Sequence, residues 1–290
     1  MSDSKSYDYI IVGAGSAGCV LAGRLSEDPS VNVLILEAGG SDKDPLIQIP
    51  LGMGKMHQHR MHDWGFDAEA EESVNGRKIE AMRGKVIGGS SSINVMAYVR
   101  GHRGDYDRWA QKGATGWSYE EILPYMRRCE DWEGEENKYR GKGGPIRTQW
   151  AKNDDPLLED WKQACVDAGY KLTEDYNGGD TEGVGVSQST QRGGERCSAA
   201  VAYLHPAKSR HNLKIEKNAY ATKILMDGNK AIGIEYFKNG KLIKANADRE
   251  VLISGGVFGS PQLLMLSGIG PADHLKDVGI EPVIDLKGVG

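Results

Sequence analysis

The sequence has no long apolar run and no concentration of positive charge. Apolar runs such as residues 9–12 are far shorter than the ~20 residues that span a bilayer. The formal net charge is −5, and lysine and arginine form no stripe of the kind that binds nucleic acid. The first residues do not combine a basic segment with an apolar stretch and a cleavage site, so no signal peptide is predicted. We therefore expect no transmembrane segment and no nucleic-acid partner.

Cysteine is scarce, and histidines cluster only once. The chain has four cysteines and no C-x-x-C pair, which indicates free thiols in a reducing compartment rather than a disulfide framework. This predicts a cytoplasmic protein. His57, His59 and His62 are close in sequence but have no carboxylates at ligand spacing, so no metal site is predicted.

Glycine, by contrast, is abundant at 39 of 290 residues, and its first cluster lies inside a predicted βαβ unit. The sequence predicts a strand over residues 7–12, a helix over 19–25 and a strand over 31–36, with Gly13-x-Gly15-x-x-Gly18 at the first turn. In this pattern the glycines permit a tight turn, close approach of a diphosphate and packing of helix on strand. The helix N-terminus favours the phosphates. The unit therefore predicts dinucleotide binding.

Glu37 narrows the choice of dinucleotide. It ends the second predicted strand, where a carboxylate accepts hydrogen bonds from the ribose hydroxyls of adenosine. A carboxylate there would repel a 2′-phosphate, which disfavours NADP. The βαβ unit alone leaves FAD and NAD open.

The rest of the chain predicts both helices and an antiparallel meander. Helices are expected over residues 117–129, with Ser118 and Glu121 at capping-box spacing, and over 154–168. Strands are expected over 213–216, 221–226, 231–237 and 241–245, joined partly by Asp-Gly and Asn-Gly turns. A buried strand over 251–254 precedes a helix predicted to begin at Ser260.

Two further glycine-rich segments distinguish between FAD and NAD. Residues 83–94 read RGKVIGGSSSIN and continue through Tyr98, Gly101 and Asp107, and residues 256–270 read GVFGSPQLLMLSGIG. Together with the N-terminal turn, these segments resemble the glucose–methanol–choline (GMC) flavin oxidoreductases, in particular choline-dehydrogenase-like members. The second segment departs once, with Val257 where the family usually has a small residue.

The resemblance implies an α/β fold. It would comprise a Rossmann-like FAD-binding domain, with a parallel sheet and an antiparallel meander, plus an incomplete α+β substrate domain. We expect residues 1–40, 80–110 and 195–290 to form the FAD-binding domain, and 41–79 and 111–194 an excursion and the partial substrate domain. The C-terminal half of the family fold would be absent.

The resemblance also implies which residues hold the cofactor. The first turn would cradle the diphosphate, Glu37 the ribose, and the second turn the flavin side, while residues 94–97 would run along the isoalloxazine ring. Trp64 is expected to serve packing. The residues expected to bind FAD are Gly13, Gly15, Ser16, Ala17, Gly18, Glu37, Gly84, Val86, Gly89, Ser90, Asn94, Val95, Met96, Ala97 and Ala221.

The same resemblance implies that FAD is bound without a covalent link. Some members of the family attach the flavin through a histidine just before the signature asparagine, and this chain has Ile93 there. We therefore expect dissociable FAD.

The activity implied is oxidation of a primary alcohol to an aldehyde, with hydride passing to the flavin N5. The partners would be a small-molecule alcohol and an electron acceptor, which could be oxygen, a quinone or a redox protein. The histidine that takes the alcohol proton would lie beyond residue 290, so no catalytic residue is assigned and a truncated, inactive chain is expected. Two alternatives remain: a non-catalytic FAD-binding module that needs a separate second half, and an NAD-linked dehydrogenase that shares the fingerprint.

Overall fold

The computed structural model of the chain describes residues 5–152 and 154–290. None of the helices in these ranges is both long enough and apolar enough to cross a membrane. In chain order the strands are β1 Ser6–Val12, β2 Val33–Leu36, β3 Glu130–Trp132, β4 Ile146–Trp150, β5 Gln188–Ser189, β6 Gln191–Arg192, β7 Glu195–Arg196, β8 Leu213–Glu216, β9 Tyr220–Asp227, β10 Lys230–Lys238, β11 Lys241–Ile253, β12 Ile269–Gly270 and β13 Ile284–Asp285. The α-helices are α1 Ser16–Leu25, α2 Pro45–Gln48, α3 Met53–Gln58, α4 Arg103–Gln111, α5 Tyr119–Cys129, α6 Leu157–Asp167, α7 His205–Ala207, α8 Gly256–Leu266 and α9 Ala272–Asp277.

The described residues form two compact units. The first comprises the chain up to Asn94 together with Ser198–Gly290, and the second comprises Val95–Cys197. These boundaries differ from the segment limits expected from the sequence: residues 41–79 belong to the first unit, and 95–110 belong to the second. The segment 41–79 is tied to the first unit by backbone pairing, because Asp63 bridges Gly84 and Asp67 bridges Glu80.

A six-stranded sheet in the order β8-β2-β1-β11-β10-β9 organises the first unit. The strands β8, β2, β1 and the end of β11 run parallel, and β10 and β9 extend the sheet in antiparallel fashion. All four residues of β2 are buried, as expected for a parallel strand covered on both faces. The predicted combination of a parallel sheet with an antiparallel meander is confirmed.

The strand β11 corrects one detail of the sequence prediction. Two separate strands were expected over residues 241–245 and 251–254, but one strand runs through Lys241–Ile253. Its first part pairs antiparallel with β10 and its last part pairs parallel with β1. Among the residues between the two predicted strands Ala247 is buried, and Asp248, Arg249 and Glu250 are exposed in a row. Backbone pairing maintains the strand here, because Asn246 pairs with both β10 and β1 and Glu250 pairs with Tyr9 of β1.

An apolar core beneath the sheet is completed by α8. This helix begins at Gly256, four residues before the predicted start at Ser260, so that Pro261 lies inside it. The backbone turns sharply at Gly256, whose φ is +82°, which lets the helix start almost directly after β11. The buried side chains of this core are Ile10, Val12, Leu34, Leu36, Ala219, Ile224, Ile234, Tyr236, Ala245, Ala247, Leu263 and Ile269.

The second unit contains the small sheet β3-β4-β5, the hairpin β6-β7 and the helices α4, α5 and α6. The predicted capping box is present at the start of α5. The side chain of Ser118 bonds to the backbone of Glu121, and the side chain of Glu121 bonds to the backbone of Ser118. The other predicted helix is shorter than expected and runs through Leu157–Asp167, without any buried residue. Its apolar face therefore contributes no fully buried side chain to the unit.

Candidate cofactor site

Two glycine turns that are distant in sequence meet at the end of the parallel strands. Gly13 follows β1 and has φ +96°, and a Cβ on it would lie 2.4 Å from the carbonyl oxygen of Ser254, which follows β11. Gly89 has φ +54°, and a Cβ there would lie 2.7 Å from Cα of Gly15. The backbone N–H of the neighbouring Gly88 donates to the carbonyl of Ala14 at 2.7 Å. Backbone therefore approaches backbone with no room for side chains.

A cavity of about 570 Å³ opens beside these turns. Val12, Leu36 and Ile253, the last residues of β1, β2 and β11, contribute to its wall. It therefore lies at the carboxyl ends of the parallel strands, which is where open α/β sheets bind ligands. Its volume is in the range of small-molecule and cofactor sites. Of the residues predicted to bind the cofactor, those that line it are Gly13, Gly15, Ser16, Ala17, Glu37, Gly84, Gly89, Ser90 and Ala221.

The remaining predicted residues lie elsewhere. Gly18 is buried behind the first turn, where a Cβ would lie 1.9 Å from the carbonyl oxygen of Gly13. Val86 is fully buried in a small apolar cluster with Ile47, Met56 and Ile93. Asn94 ends the first unit. Val95, Met96 and Ala97 open the second unit, where the carbonyl of Met96 accepts from the backbone N–H of Thr190 at 2.9 Å and Ala97 bridges Ser189.

Glu37 is the acidic group of the cavity. Its carboxylate oxygens accept hydrogen bonds from the backbone N–H groups of Ala14 and Gly39, each at 2.8 Å. Burial raises the pKa of Glu37, while these two N–H groups and the charge of Lys85 act in the opposite direction. Each carboxylate oxygen has two lone pairs, so the group is held in place and can still accept from a ligand hydroxyl.

An aromatic wall, formed by Trp64, Phe66 and Phe258, was not assigned to the site from the sequence. The rings of Trp64 and Phe66 stack with centroids 5.8 Å apart, and Phe258 meets Phe66 edge-on at 5.4 Å. All three residues line the cavity, whereas Trp64 was expected to serve packing rather than substrate contact. The spacing of Trp64 and Phe66 at a period of two is the signal that could have indicated a shared face.

No histidine of the described ranges lines the cavity. Nε2 of His57 lies 3.0 Å from the carbonyl oxygen of Ile93, and Nε2 of His62 lies 2.8 Å from Oδ2 of Asp44. Among the residues that the structure describes, no group of three or more His, Cys, Asp or Glu side chains is arranged to hold a metal ion. Cys19 is buried, which raises the pKa of its thiol to about 12, so this thiol is unreactive at neutral pH.

The residues around the cavity fit an adenine dinucleotide. Backbone without side chains, at the N-terminus of α1, suits a diphosphate because the first N–H groups of a helix have no intrahelical partners. Glu37 suits a ribose, and the surfaces of Ala219, Ala221 and Leu266 offer an apolar floor. A methyl group at Gly89 would press against Gly15 in the first turn, and one at Gly13 would press against Ser254 after β11.

Comparison with known proteins identifies the family. The sequence profile described as GMC oxidoreductase matches residues 7–287. The oxygen-dependent choline dehydrogenase of Sinorhizobium fredii is 48% identical over 283 residues, which are 98% of this chain and 51% of that protein. The chain spans about half the length of the curated relatives it matches.

Solved structures agree with this assignment. Pyridoxine 4-oxidase from Mesorbium loti superposes with a TM-score of 0.92 at 35% identity, over 97% of this chain and 55% of that one. Formate oxidase of Aspergillus oryzae, in a structure concerned with FAD modification, superposes with a TM-score of 0.91 at 31% identity, over 100% and 52% of the two chains. The chain therefore belongs to the GMC oxidoreductases, a family of FAD-binding flavoproteins.

Proposed function

We propose that the first unit holds FAD non-covalently in the cavity beside the two glycine turns. The observation that carries this proposal is the contact of Gly15 with Gly89 beside the buried carboxylate of Glu37. In this arrangement the diphosphate lies against the backbone of residues 13–17 and the adenosine ribose donates to Glu37. Ser90 supports the second turn, because its hydroxyl accepts from the backbone N–H of Gly84 at 3.0 Å. The second unit, with residues 95–97 at its start, contributes the partial substrate domain.

Ile93 supports the absence of a covalent bond to the flavin. Its side chain is buried in the apolar cluster with Val86, and it offers no nucleophilic atom. A histidine at this position is what the resemblance associates with covalent attachment. The cofactor is therefore held by contacts alone and can dissociate.

The reaction that we infer is oxidation of a primary alcohol, with choline as the first substrate to test. The choline dehydrogenase named above supports this choice of substrate through its identity to the chain. Bound FAD would supply the hydride acceptor for oxidation of the carbinol carbon. The chain's own residues orient the cofactor, and no histidine among the described residues lines the cavity to accept the alcohol proton. We therefore expect these 290 residues to bind FAD without turning over choline by themselves.

The electron acceptor and the location complete the proposal. Oxygen, a quinone or a redox protein would reoxidise the cofactor. The four cysteines are free thiols, which supports a reducing, cytoplasmic location.

The direct test is the visible absorbance spectrum of the chain, purified by gel filtration after expression with added FAD. We expect a flavin band that co-elutes with folded protein at one FAD per chain and is released into the supernatant by acid precipitation. Choline with an artificial electron acceptor should give no turnover. A folded but colourless protein that binds NAD instead would contradict the proposal, and flavin remaining in the acid precipitate would contradict non-covalent binding.

A further inference from the structure

An antiparallel ribbon forms one side of the cavity. We define it as residues 62–68 paired with residues 79–85. The backbone N–H of Lys85 donates to the carbonyl of His62 at 2.7 Å, and that of Trp64 donates to the carbonyl of Arg83 at 2.9 Å. Directly opposed residues share a face of a ribbon, and side chains alternate between faces. Trp64, Phe66, Arg83 and Lys85 therefore lie on one face.

This face brings positive charge to the cavity. Among the cavity-lining residues of the described ranges, Glu37 and Arg83 are the charged side chains. Lys85, just outside the wall, places its ammonium 4.6 Å from the ring centroid of Trp64. The carboxylate of Glu37 is held by two backbone N–H groups and forms no ion pair with Arg83. Glu37 and Arg83 can therefore each bind a different part of a ligand.

The guanidinium of Arg83 uses few of its N–H donors within the protein. Its Nη1 donates to the carbonyl of Met82 at 2.6 Å, and its Cζ lies 4.9 Å from the ring centroid of Phe258. In residues 5–152 and 154–290, the structure shows no carboxylate within ion-pair distance of it. A guanidinium has five N–H donors in a planar fork, so most of these donors are open to a ligand.

The backbone of Arg83, in contrast, is fixed. Its N–H donates to Oδ1 of Asp63 at 2.7 Å, and the side chain of Asp63 is fully buried. The other carboxylate oxygen of Asp63 lies 3.3 Å from Nε of Arg60. The base of the Arg83 side chain is thus held in position at the cavity, while its head rests on an aromatic face.

We propose that Arg83 binds the diphosphate of FAD, its guanidinium moving from the face of Phe258 onto the phosphate oxygens. This inference rests on the proposed function. The planar fork of arginine matches phosphate oxygens in a bidentate manner. The α1 N-terminus supplies neutral backbone donors on one side of the diphosphate, and Arg83 supplies the positive charge on the other side.

The test compares ligands that differ only in the diphosphate. Binding of FAD, ADP and adenosine to the chain and to Arg83→Gln is measured by calorimetry or by quenching of tryptophan fluorescence. We expect Arg83→Gln to weaken FAD and ADP about tenfold, the effect of losing a hydrogen bond to a charged group, and to leave adenosine unchanged. Arg83→Lys should recover part of the loss. Arg77→Gln is the matched control. Arg77 is exposed in the connection between the two strands of the ribbon, and its Nε donates to the carbonyl of Val74.

The outcomes separate this inference from the proposed function. If Arg83→Gln weakens adenosine as much as ADP, the residue acts on the fold or on the aromatic wall, and the inference is overturned. Unchanged FAD binding in Arg83→Gln would overturn it as well. If the unaltered chain binds neither FAD nor ADP, the proposed function itself fails. An ADP-to-adenosine preference that falls in Arg83→Gln and recovers partly in Arg83→Lys supports the inference.

Discussion

At the scale of single residues, Glu37 combines two demands that conflict. Its position at the end of β2 buries a carboxylate, and burial raises its pKa. A raised pKa means that the folded chain favours the protonated form. The contribution of this group to stability is therefore complete below its unfolded pKa and is lost as the pH rises through its folded pKa. A ribose hydroxyl, however, donates best to the ionised form.

This conflict predicts a pH dependence of cofactor binding. Because the ionised carboxylate is the better acceptor, the affinity for FAD should rise with pH as Glu37 loses its proton, and burial moves this rise above the ordinary pH range of glutamate. The dissociation constant is measured as a function of pH for the chain and for Glu37→Gln, whose amide does not titrate. The same pH profile in both proteins would show that another group is responsible.

At the scale of elements, the sequence predicts well those strands, turns and helices whose signals lie within a short stretch of chain. The strand, turn and helix around Gly13 follow one another within the span of a βαβ unit, and each has its own signal. The continuity of β11 was missed because its polar middle resembles a break, and only the partners β10 and β1 reveal that both halves pair. The position of Arg83 on the same face as Trp64 likewise depends on cross-strand pairing, which leaves no periodic trace in a single sequence.

The contact between the turn after β1 and the end of β11 yields a prediction for Gly13→Ala. The added methyl would lie 2.4 Å from the carbonyl oxygen of Ser254, at a backbone φ of +96°. Strain and overpacking together should lower the free energy of unfolding by about 2–4 kcal/mol, and FAD binding should weaken because the turn after β1 is displaced.

Gly228→Ala is the matched control for this substitution. Gly228 also has a positive φ, +55°, but a Cβ there meets nothing within 4 Å, so only the backbone strain of about 1–2 kcal/mol remains. Urea unfolding and FAD titration of both variants provide the comparison. Equal destabilisation of the two variants would contradict the steric contact between Gly13 and Ser254.

At the scale of the whole molecule, the two units differ in what their interiors contain. The first unit has the apolar core beneath its sheet. The second unit buries a charged network instead: the side chains of Glu130 and Arg140 are both fully buried and their atoms Oε1 and Nη2 lie 2.6 Å apart. Nη2 of Arg100 lies 2.8 Å from the other oxygen of Glu130, and Nη1 of Arg140 lies 2.6 Å from Oδ1 of Asp175. Such a network stabilises only when all its members are present.

The network predicts a large effect of Arg140→Met within the second unit. Removing one partner of a buried pair leaves an uncompensated charge and costs about 3–5 kcal/mol. Hydrogen exchange of the amides in β3 and β4 measures this loss locally. Lys171→Met is the control, since the pair of Lys171 with Asp180 is more than half exposed on both sides and such pairs contribute about 0–1 kcal/mol. Protection in Arg140→Met equal to that in the control would show that the network is not a source of stability.

A double variant tests whether the central charges stabilise the second unit or only fix its arrangement. Arg140→Met combined with Glu130→Leu removes both charges of the central pair, and replacing a buried ion pair by apolar residues is often neutral or stabilising. Here, however, Arg100 loses its partner Glu130 and Asp175 loses its partner Arg140, so two charges at the margin of the network lose an ion pair. We therefore expect protection intermediate between that of Arg140→Met and that of the unaltered chain. Full recovery would mean that these two marginal groups find other partners, and that the central charges serve to fix the arrangement of the second unit rather than to stabilise it.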